Sequence, residues 1–318
     1  MRAVVTGVAG FIGSTLAKAL LDRGANVVGI DSLTAYYDTE MKRSNISALH
    51  HRKGFEYVED DLLALSLDDL LGPDITLFHL AGQPGVRASW GAGFSEYVNW
   101  NVSVTQRLLE TCRQRGVRRF VNSSSSSVYG RAERFPTSEE DLPLPFSPYG
   151  VTKLAAEHLS TLYGANFRVP TVSLRYFTVY GPGQRPDMAT HRLIESALHR
   201  TPFVLNGDGS QIRDFTFISD VVGANLLAAE ADVEPGSVFN IGGGSSTSLR
   251  RVIELVESAT GMQIPLESAP RAAGDPDRTG ANIEKARQIL GWEPEVDIEL
   301  GVRQQVAWHR GRAEIPMT

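Results

Sequence analysis

Tyr149 and Lys153 stand four residues apart in "SPYGVTK" (147–153), a stretch that opens a helix with Pro148 near its start. At that spacing both side chains face the same side of the helix. A lysine cation beside a phenol favours phenolate and brings the phenol pKa toward working pH. The pair is therefore a candidate acid–base device. Upstream, five serines in a row begin "SSSSSVYG" (123–130), directly after the strand-like "RRFVN" (118–122). A serine run alone reads as a linker. At the end of a buried strand it sets a row of hydroxyls at the strand's edge.

A second pattern serves phosphate binding. "TGVAGFIG" (6–13) has Gly7, Gly10 and Gly13 between a strand and a helix. Gly7 allows a tight turn, Gly10 lets the backbone approach a pyrophosphate, and Gly13 lets the helix pack on the sheet. The helix N-terminus offers N–H groups to phosphates. Asp31 closes the second strand, "NVVGID" (26–31). A carboxylate there accepts bonds from a ribose 2′-OH and repels a 2′-phosphate, so the expected cofactor is NAD rather than NADP. In "DDL" (60–62), Asp61 and Leu62 can reach the adenine, while Asp60 caps a turn.

These groups need a scaffold that gathers strand ends. "RAVVT" (2–6), "NVVGID", "ITLFHLAG" (75–82), "RRFVNSS" (118–124) and "TVSLRYF" (171–177) read as buried strands. Helical patterns lie between them at 11–24, near 98–115 and at 149–165. Alternating strands and helices predict an α/β fold with a doubly wound parallel sheet of Rossmann type. After residue 180 the alternation loosens, and only "SLRRVIELVESATG" (248–261) is a clear amphipathic helix. The expected division is a cofactor-binding domain at 1–180 and a smaller substrate-binding lobe at 181–318, interleaved with late returns to the sheet.

Bulk composition excludes several classes. The 318 residues are 42% hydrophobic with a formal net charge of −6, which is too apolar for disorder and lacks the basic excess of a nucleic-acid binder. The single cysteine, Cys112, rules out an intramolecular disulfide and reads as a packed or partly exposed helix residue. "MRAVVTG" runs straight into a strand with no signal peptide, and no apolar run reaches membrane-spanning length, so a cytoplasmic location without membrane contact is expected. The seven histidines show no metal-ligand spacing, so no metal is expected. His79, within "LFHLAG", reads as a satisfied core histidine, and Asn101 as bonded to backbone or cofactor.

Taken together, "TGVAGFIG", Asp31, "HLAG", "SSSSSVYG", "SPYGVTK", "LRYFTVYGPGQRPDMA" and "RDFTFISD" resemble the extended short-chain dehydrogenase/reductases, and within them the nucleotide-sugar epimerases. The resemblance runs from residue 2 to about 295. It implies tightly held NAD, a lobe for a UDP-sugar, and a homodimer, with helices at 103–116 and 149–165 able to pair. It implies that Tyr149 is the acid/base, that Lys153 holds the nicotinamide ribose and tunes Tyr149, and that Ser125, four residues before the "YG" tyrosine, hydrogen-bonds the reacting sugar oxygen. Gly7, Gly10, Phe11, Ile12, Gly13, Asp31, Ser32, Asp61, Leu62, Leu80 and Ala81 would hold the cofactor. Arg213 and Arg278 resemble diphosphate ligands, and Arg87 a substrate-side residue.

The positions after Ser125 bear on the reaction. Family dehydratases typically carry Asp and Glu there, and the decarboxylases a Glu before "VYG". This chain has Ser126 and Ser127, which cannot act as carboxyl acids, so 4-epimerisation is expected. Thr178 replaces the Asn typical of UDP-galactose enzymes, and Arg185 in "GQRPDMA" resembles the uronate enzymes. Ser126, Ser127 and Thr178 are expected to hold a uronate carboxylate by hydrogen bonds, with Arg185 positioning the sugar nucleotide. "GPGQRP" departs from the family pattern at Gly183 and Gln184. The expected substrate is UDP-glucuronate. The alternatives are neutral UDP-hexoses or their N-acetyl forms, and, in another class, a catalytically silent NAD-binding regulator.

Overall fold

The computed structural model describes residues 1–313 apart from Ser245, Ala272, Ala273 and Asp275. The first half follows the order β1 (Arg2–Thr6), α1 (Phe11–Asp22), β2 (Asn26–Ile30), α2 (Thr39–His50), β3 (Phe55–Val58), β4 (Ile75–His79), α3 (Phe94–Tyr97), α4 (Val104–Arg115), β5 (Arg119–Ser125), α5 (Pro148–Phe167), β6 (Thr171–Tyr176) and β7 (Thr178–Tyr180). It continues through α6 (Ala189–His199), β8 (Phe203–Asn206), β9 (Ile212–Phe217), α7 (Ile218–Glu230), β10 (Ser237–Ile241), β11 (Ser246–Ser248), α8 (Leu249–Thr260), β12 (Leu266–Ala269) and α9 (Ile298–Ala313).

The main sheet has seven strands in the order β10-β6-β5-β4-β1-β2-β3, all paired in parallel. Helices cover both faces, so β4 and β6 are buried at every position. β6, TVSLRY, nonetheless alternates polar and apolar residues, so Thr171, Ser173 and Arg175 are buried polar groups. One apolar cluster joins Leu16, Leu20, Phe78 and Val121 to the later helices, and a second holds Leu77, Leu108, Phe120 and Cys112. Cys112 is thus packed as expected, and burial pushes its thiol up to about 12.

The chain leaves β1 toward β3 on one side and returns to β4 on the other. The carboxyl ends of β1 and β4 therefore diverge into a crevice, the usual ligand site of such sheets. β10 comes from beyond residue 180 yet completes the edge of the main sheet beside β6. Small sheets β11-β9-β7 and β12-β8 lie in the later half.

Two features differ from the sequence reading. The helix expected near 98–115 is broken: Val98–Ser103 winds as a π-helix before α4 begins. α6, α7 and α9 lie where alternation looked loose; α7 has nine buried residues and presents no polar face to the pattern. Among the described residues no helix is long and apolar enough to cross a membrane.

Candidate active site

A cavity of about 750 Å³ opens along the carboxyl ends of the sheet strands. Its glycine-loop end is shaped by backbone. Gly7 has φ +71°, and a Cβ there would meet the Ala81 nitrogen at 2.7 Å. A Cβ on Gly13 would sit 2.1 Å from the Gly7 carbonyl oxygen, whereas one on Gly10 would lie 3.2 Å away. α1 starts at Gly10 with no side-chain cap and no acidic residue in its first turn, which leaves its N–H groups for an anion.

Asp31 is fixed in place. One carboxylate oxygen accepts from the Ala9 N–H at 3.0 Å, the other from the Leu33 N–H at 2.9 Å. Burial nonetheless raises its pKa, against the pull of Lys42 and those two N–H groups. Phe11, Ile12, Ser32, Asp61, Leu62, Leu80 and Ala81 also line the cavity. Asp60 lines the cavity and accepts from the Asp61 N–H at 2.7 Å, while Asp61 accepts from the Leu63 N–H at 2.9 Å.

α5 delivers the acid–base pair. Ser147 caps it, accepting from the Gly150 N–H at 3.1 Å, and Pro148 occupies the first turn. Gly150 lets the helix approach the serine turn, since a Cβ there would lie 2.5 Å from the Ser127 carbonyl oxygen. Thr152 donates to the Tyr149 carbonyl at 2.8 Å and accepts from Asn101 at 3.0 Å. Asn101, in the π-helical turn, also exchanges bonds with the backbone of Gln83. Asn101 therefore ties the catalytic helix to the loop after β4, and π-turns of this kind recur at functional sites.

Ser125 stands beside the Tyr149 phenol and pulls its pKa down. The Ser125 oxygen accepts from the Ser127 N–H at 3.1 Å. Ser126, Ser127 and Thr178 bring further hydroxyl-bearing residues to the same cavity. Burial raises the Tyr149 phenol above its ordinary value and outweighs Ser125 and Arg185, which pull it down. Lys153 is itself so buried that its pKa falls to about 8, with Glu157 opposing the fall.

Arg185 reaches the cavity but is held by Asp187 through two bonds of 2.9 and 3.0 Å, with the Tyr36 ring 5.9 Å away. Arg87 and Arg213 line the cavity as well, whereas Arg278 does not. The Arg278 guanidinium lies over the Phe135 ring at 4.9 Å, a cation–π contact. Sequence reading missed Lys42, Arg192, Phe203, Asn206 and Gln211, which also line the cavity. Each looks like an ordinary surface or strand residue, and no motif marks it.

Histidine spacing along the chain proved a poor guide. His191, Glu195 and His309 have ligand atoms within 4.8 Å of one another outside the cavity lining. Glu195 accepts from His309, which ties α6 to α9, and His191 bonds the Gln184 carbonyl at 2.8 Å in the loop before α6. His79 is the core histidine anticipated, bonded to Thr6 and Thr105 at 2.9 and 3.0 Å and kept neutral by burial, its pKa near 3.

The sequence pattern of a family described as the NAD dependent epimerase/dehydratase family matches residues 3–242. An uncharacterized UDP-glucose epimerase of Bacillus subtilis is 42% identical over 309 residues, covering 97% of this chain and 98% of that protein. A UDP-glucuronate 4-epimerase of Thermodesulfobacterium geofontis is 36% identical, covering 98% of this chain and 97% of that protein. The crystal structure of a UDP-glucuronic acid 4-epimerase from Bacillus cereus, in complex with UDP-glucuronic acid and NAD, has a TM-score of 0.94 to this chain. Its sequence is 42% identical, with 98% of this chain and 100% of that one covered.

Proposed function

The chain belongs to the NAD dependent epimerase/dehydratase family, and from that premise we propose that it is a UDP-sugar 4-epimerase that interconverts UDP-glucuronate and UDP-galacturonate without loss of CO₂. The observation that carries the reading is the company Tyr149 keeps: Ser125 beside its phenol, Lys153 one turn along, and hydroxyl side chains where an eliminating enzyme needs carboxyls. Asp187 also lines the cavity, and Arg185 already engages it at 2.9 and 3.0 Å.

The cofactor is NAD, and the residues fit it. The glycine loop has no room for a Cβ at Gly13, the α1 N–H groups are free of side-chain caps, and Asp31 is oriented for a ribose diol. Bound NAD supplies a hydride acceptor that is restored within each turnover. Tyr149, as phenolate, takes the proton from the sugar O4 and returns it after the 4-keto sugar has presented its other face. Ser125 holds that oxygen, and Lys153 holds the nicotinamide ribose and keeps the phenolate charge compensated.

A 4-keto-uronate is a β-keto acid and loses CO₂ when its carboxylate bond aligns with the carbonyl π system. Ser126, Ser127 and Thr178 hold the carboxylate out of that alignment without adding negative charge, and Arg185 positions the sugar nucleotide. Arg87 and Arg213 take the diphosphate side. In this reading residues 1–180 carry the cofactor and the catalytic set, residues 181–318 shape the sugar-nucleotide wall, and the enzyme works as a cytoplasmic homodimer. The 42% identity to a UDP-glucose epimerase favours neutral UDP-hexoses as the second reading.

Proton NMR of UDP-glucuronate incubated with purified protein tests this. A mixture with UDP-galacturonate, without added NAD, is the expected result. UDP-xylose or a 4-keto-pentose would overturn the carboxylate clamp. Inert UDP-glucuronate with converted UDP-glucose would move the assignment to the neutral sugars.

A further inference from the structure

Behind the reaction pair lies a buried polar chain that the proposed chemistry does not use. Glu157 is one turn beyond Lys153 on α5 and is 2% exposed. Arg175 of β6, 4% exposed, grips it with two bonds of 2.9 and 2.6 Å. Ser124 donates to the same carboxylate at 2.6 Å. The third arm of Arg175 donates to the Tyr129 hydroxyl at 2.6 Å, which donates onward to Asn240 of β10 at 2.7 Å. Tyr129 is the "YG" tyrosine after the serine run; its partners lie in this chain and not in the cavity.

Charge counting gives the chain a purpose. Around Lys153, α5 contributes Tyr149 and Glu157, and β6 contributes Arg175. β4 contributes His79, which is held neutral. β5 contributes the uncharged Ser124 and Ser125, α3 contributes Tyr97, and the turn after β5 contributes Tyr129. Arg185 acts on Tyr149 from the sugar-side loop. Arg185 brings its own counter-charge, Asp187, so Glu157 is the one carboxylate of this set that acts on Lys153. Without it, two cations would share a region from which water is excluded, and the lysine is the one that can give up its proton.

We propose that Glu157 and Arg175 are positioning residues of the reaction: the buried carboxylate keeps Lys153 cationic, the guanidinium fixes that carboxylate, and together they set the pH range in which Tyr149 and Lys153 work. The proposal rests on the epimerase reading for the roles of Tyr149 and Lys153. Neither Glu157 nor Arg175 lines the cavity. Each acts through Lys153.

The test compares the NAD-loaded parent with Glu157→Gln, Arg175→Met and the double variant, each by two readouts. One is the pH profile of kcat/KM. The other is titration of the Tyr149 phenolate by near-ultraviolet absorbance without substrate, taken as the difference from Tyr149→Phe. Glu157→Gln is expected to move the alkaline limb and the phenolate titration down by about one pH unit. The double variant should fall between it and the parent, and Arg175→Met should lie at or above the parent. Glu157→Asp should restore the parent profile in part. If Glu157→Gln does not fold, the order of the double variant, parent and Arg175→Met carries the same test. Variants that lose activity uniformly, with limbs and titrations coincident, would overturn the proposal and leave the pair as packing. A parent that turns over no nucleotide sugar while the titrations keep their order would overturn the epimerase reading instead.

Discussion

At the glycine-loop end of the cavity, fit is decided by main chain. Gly7, Gly10 and Gly13 bring backbone to within contact of backbone, and Asp31 is held by two N–H groups. At the sugar-side end, from Thr178 through Arg185 to Arg213, fit is decided by side chains, and Arg185 already has a partner in Asp187. A backbone-built surface tolerates little substitution because it has nothing to repack. A side-chain-built surface can change its ligand by exchanging residues. The fold can therefore keep one cofactor while its sugar changes.

The sharpest probe falls where the two ends meet. Tyr149→Phe should lower kcat by about 10³-fold, within the range for loss of a general acid–base group. Bound NAD, read by absorbance after protein release, should be unchanged. Loss of NAD together with activity would mean that Tyr149 belongs to the backbone-built end after all.

Next in size is a glycine pair. Gly13→Ala drives a Cβ to 2.1 Å from the Gly7 oxygen, against 3.2 Å for Gly10→Ala. The first should cost roughly 3 kcal/mol of stability and the second under about 1 kcal/mol, measured by urea denaturation. Equal costs would show that the loop can relax and is less rigid than its geometry.

His79 gives a pH test of the floor beneath that loop. Its folded pKa, near 3, lies below the ordinary 6.5, so protons bind the unfolded chain first. Its contribution is complete above pH 6.5 and is lost as pH falls toward 3, at up to about 1.4 kcal/mol per pH unit. His79→Asn should flatten that acid slope in denaturation curves recorded from pH 7 to 5. An unchanged slope would assign acid sensitivity to other groups.

The smallest effects separate two arginines that sequence alone places together. Arg213→Ala should raise the KM for UDP-sugar about tenfold, the cost of a lost charged contact. Arg278→Ala should change it less than about twofold, since its guanidinium rests on Phe135. A large effect at Arg278 would mean that it leaves that ring when substrate binds.

The same contrast explains what the sequence made legible. Glycine spacing and the Tyr149–Lys153 interval report local geometry, so the loop, α1, α5 and the parallel strands could be read directly. Lys42 and Arg192 resemble surface charges on amphipathic helices, and Glu157 resembles another; only the third dimension turns them inward. The His191–His309 contact joins residues on α6 and α9 that no local spacing relates. The raised Tyr149 pKa escapes the sequence for a similar reason, because it comes from burial of the phenol itself, which no neighbouring letter reports.

β10 has a consequence for how the chain is made. Until residue 241 has left the ribosome, β6 has no neighbour on one side and shows an open row of N–H and C=O groups to other nascent chains. A fragment ending near residue 180 would keep that sticky edge permanently. Moving the first half of this chain into a fusion protein would therefore require carrying the 237–241 strand along, or masking the edge it covers.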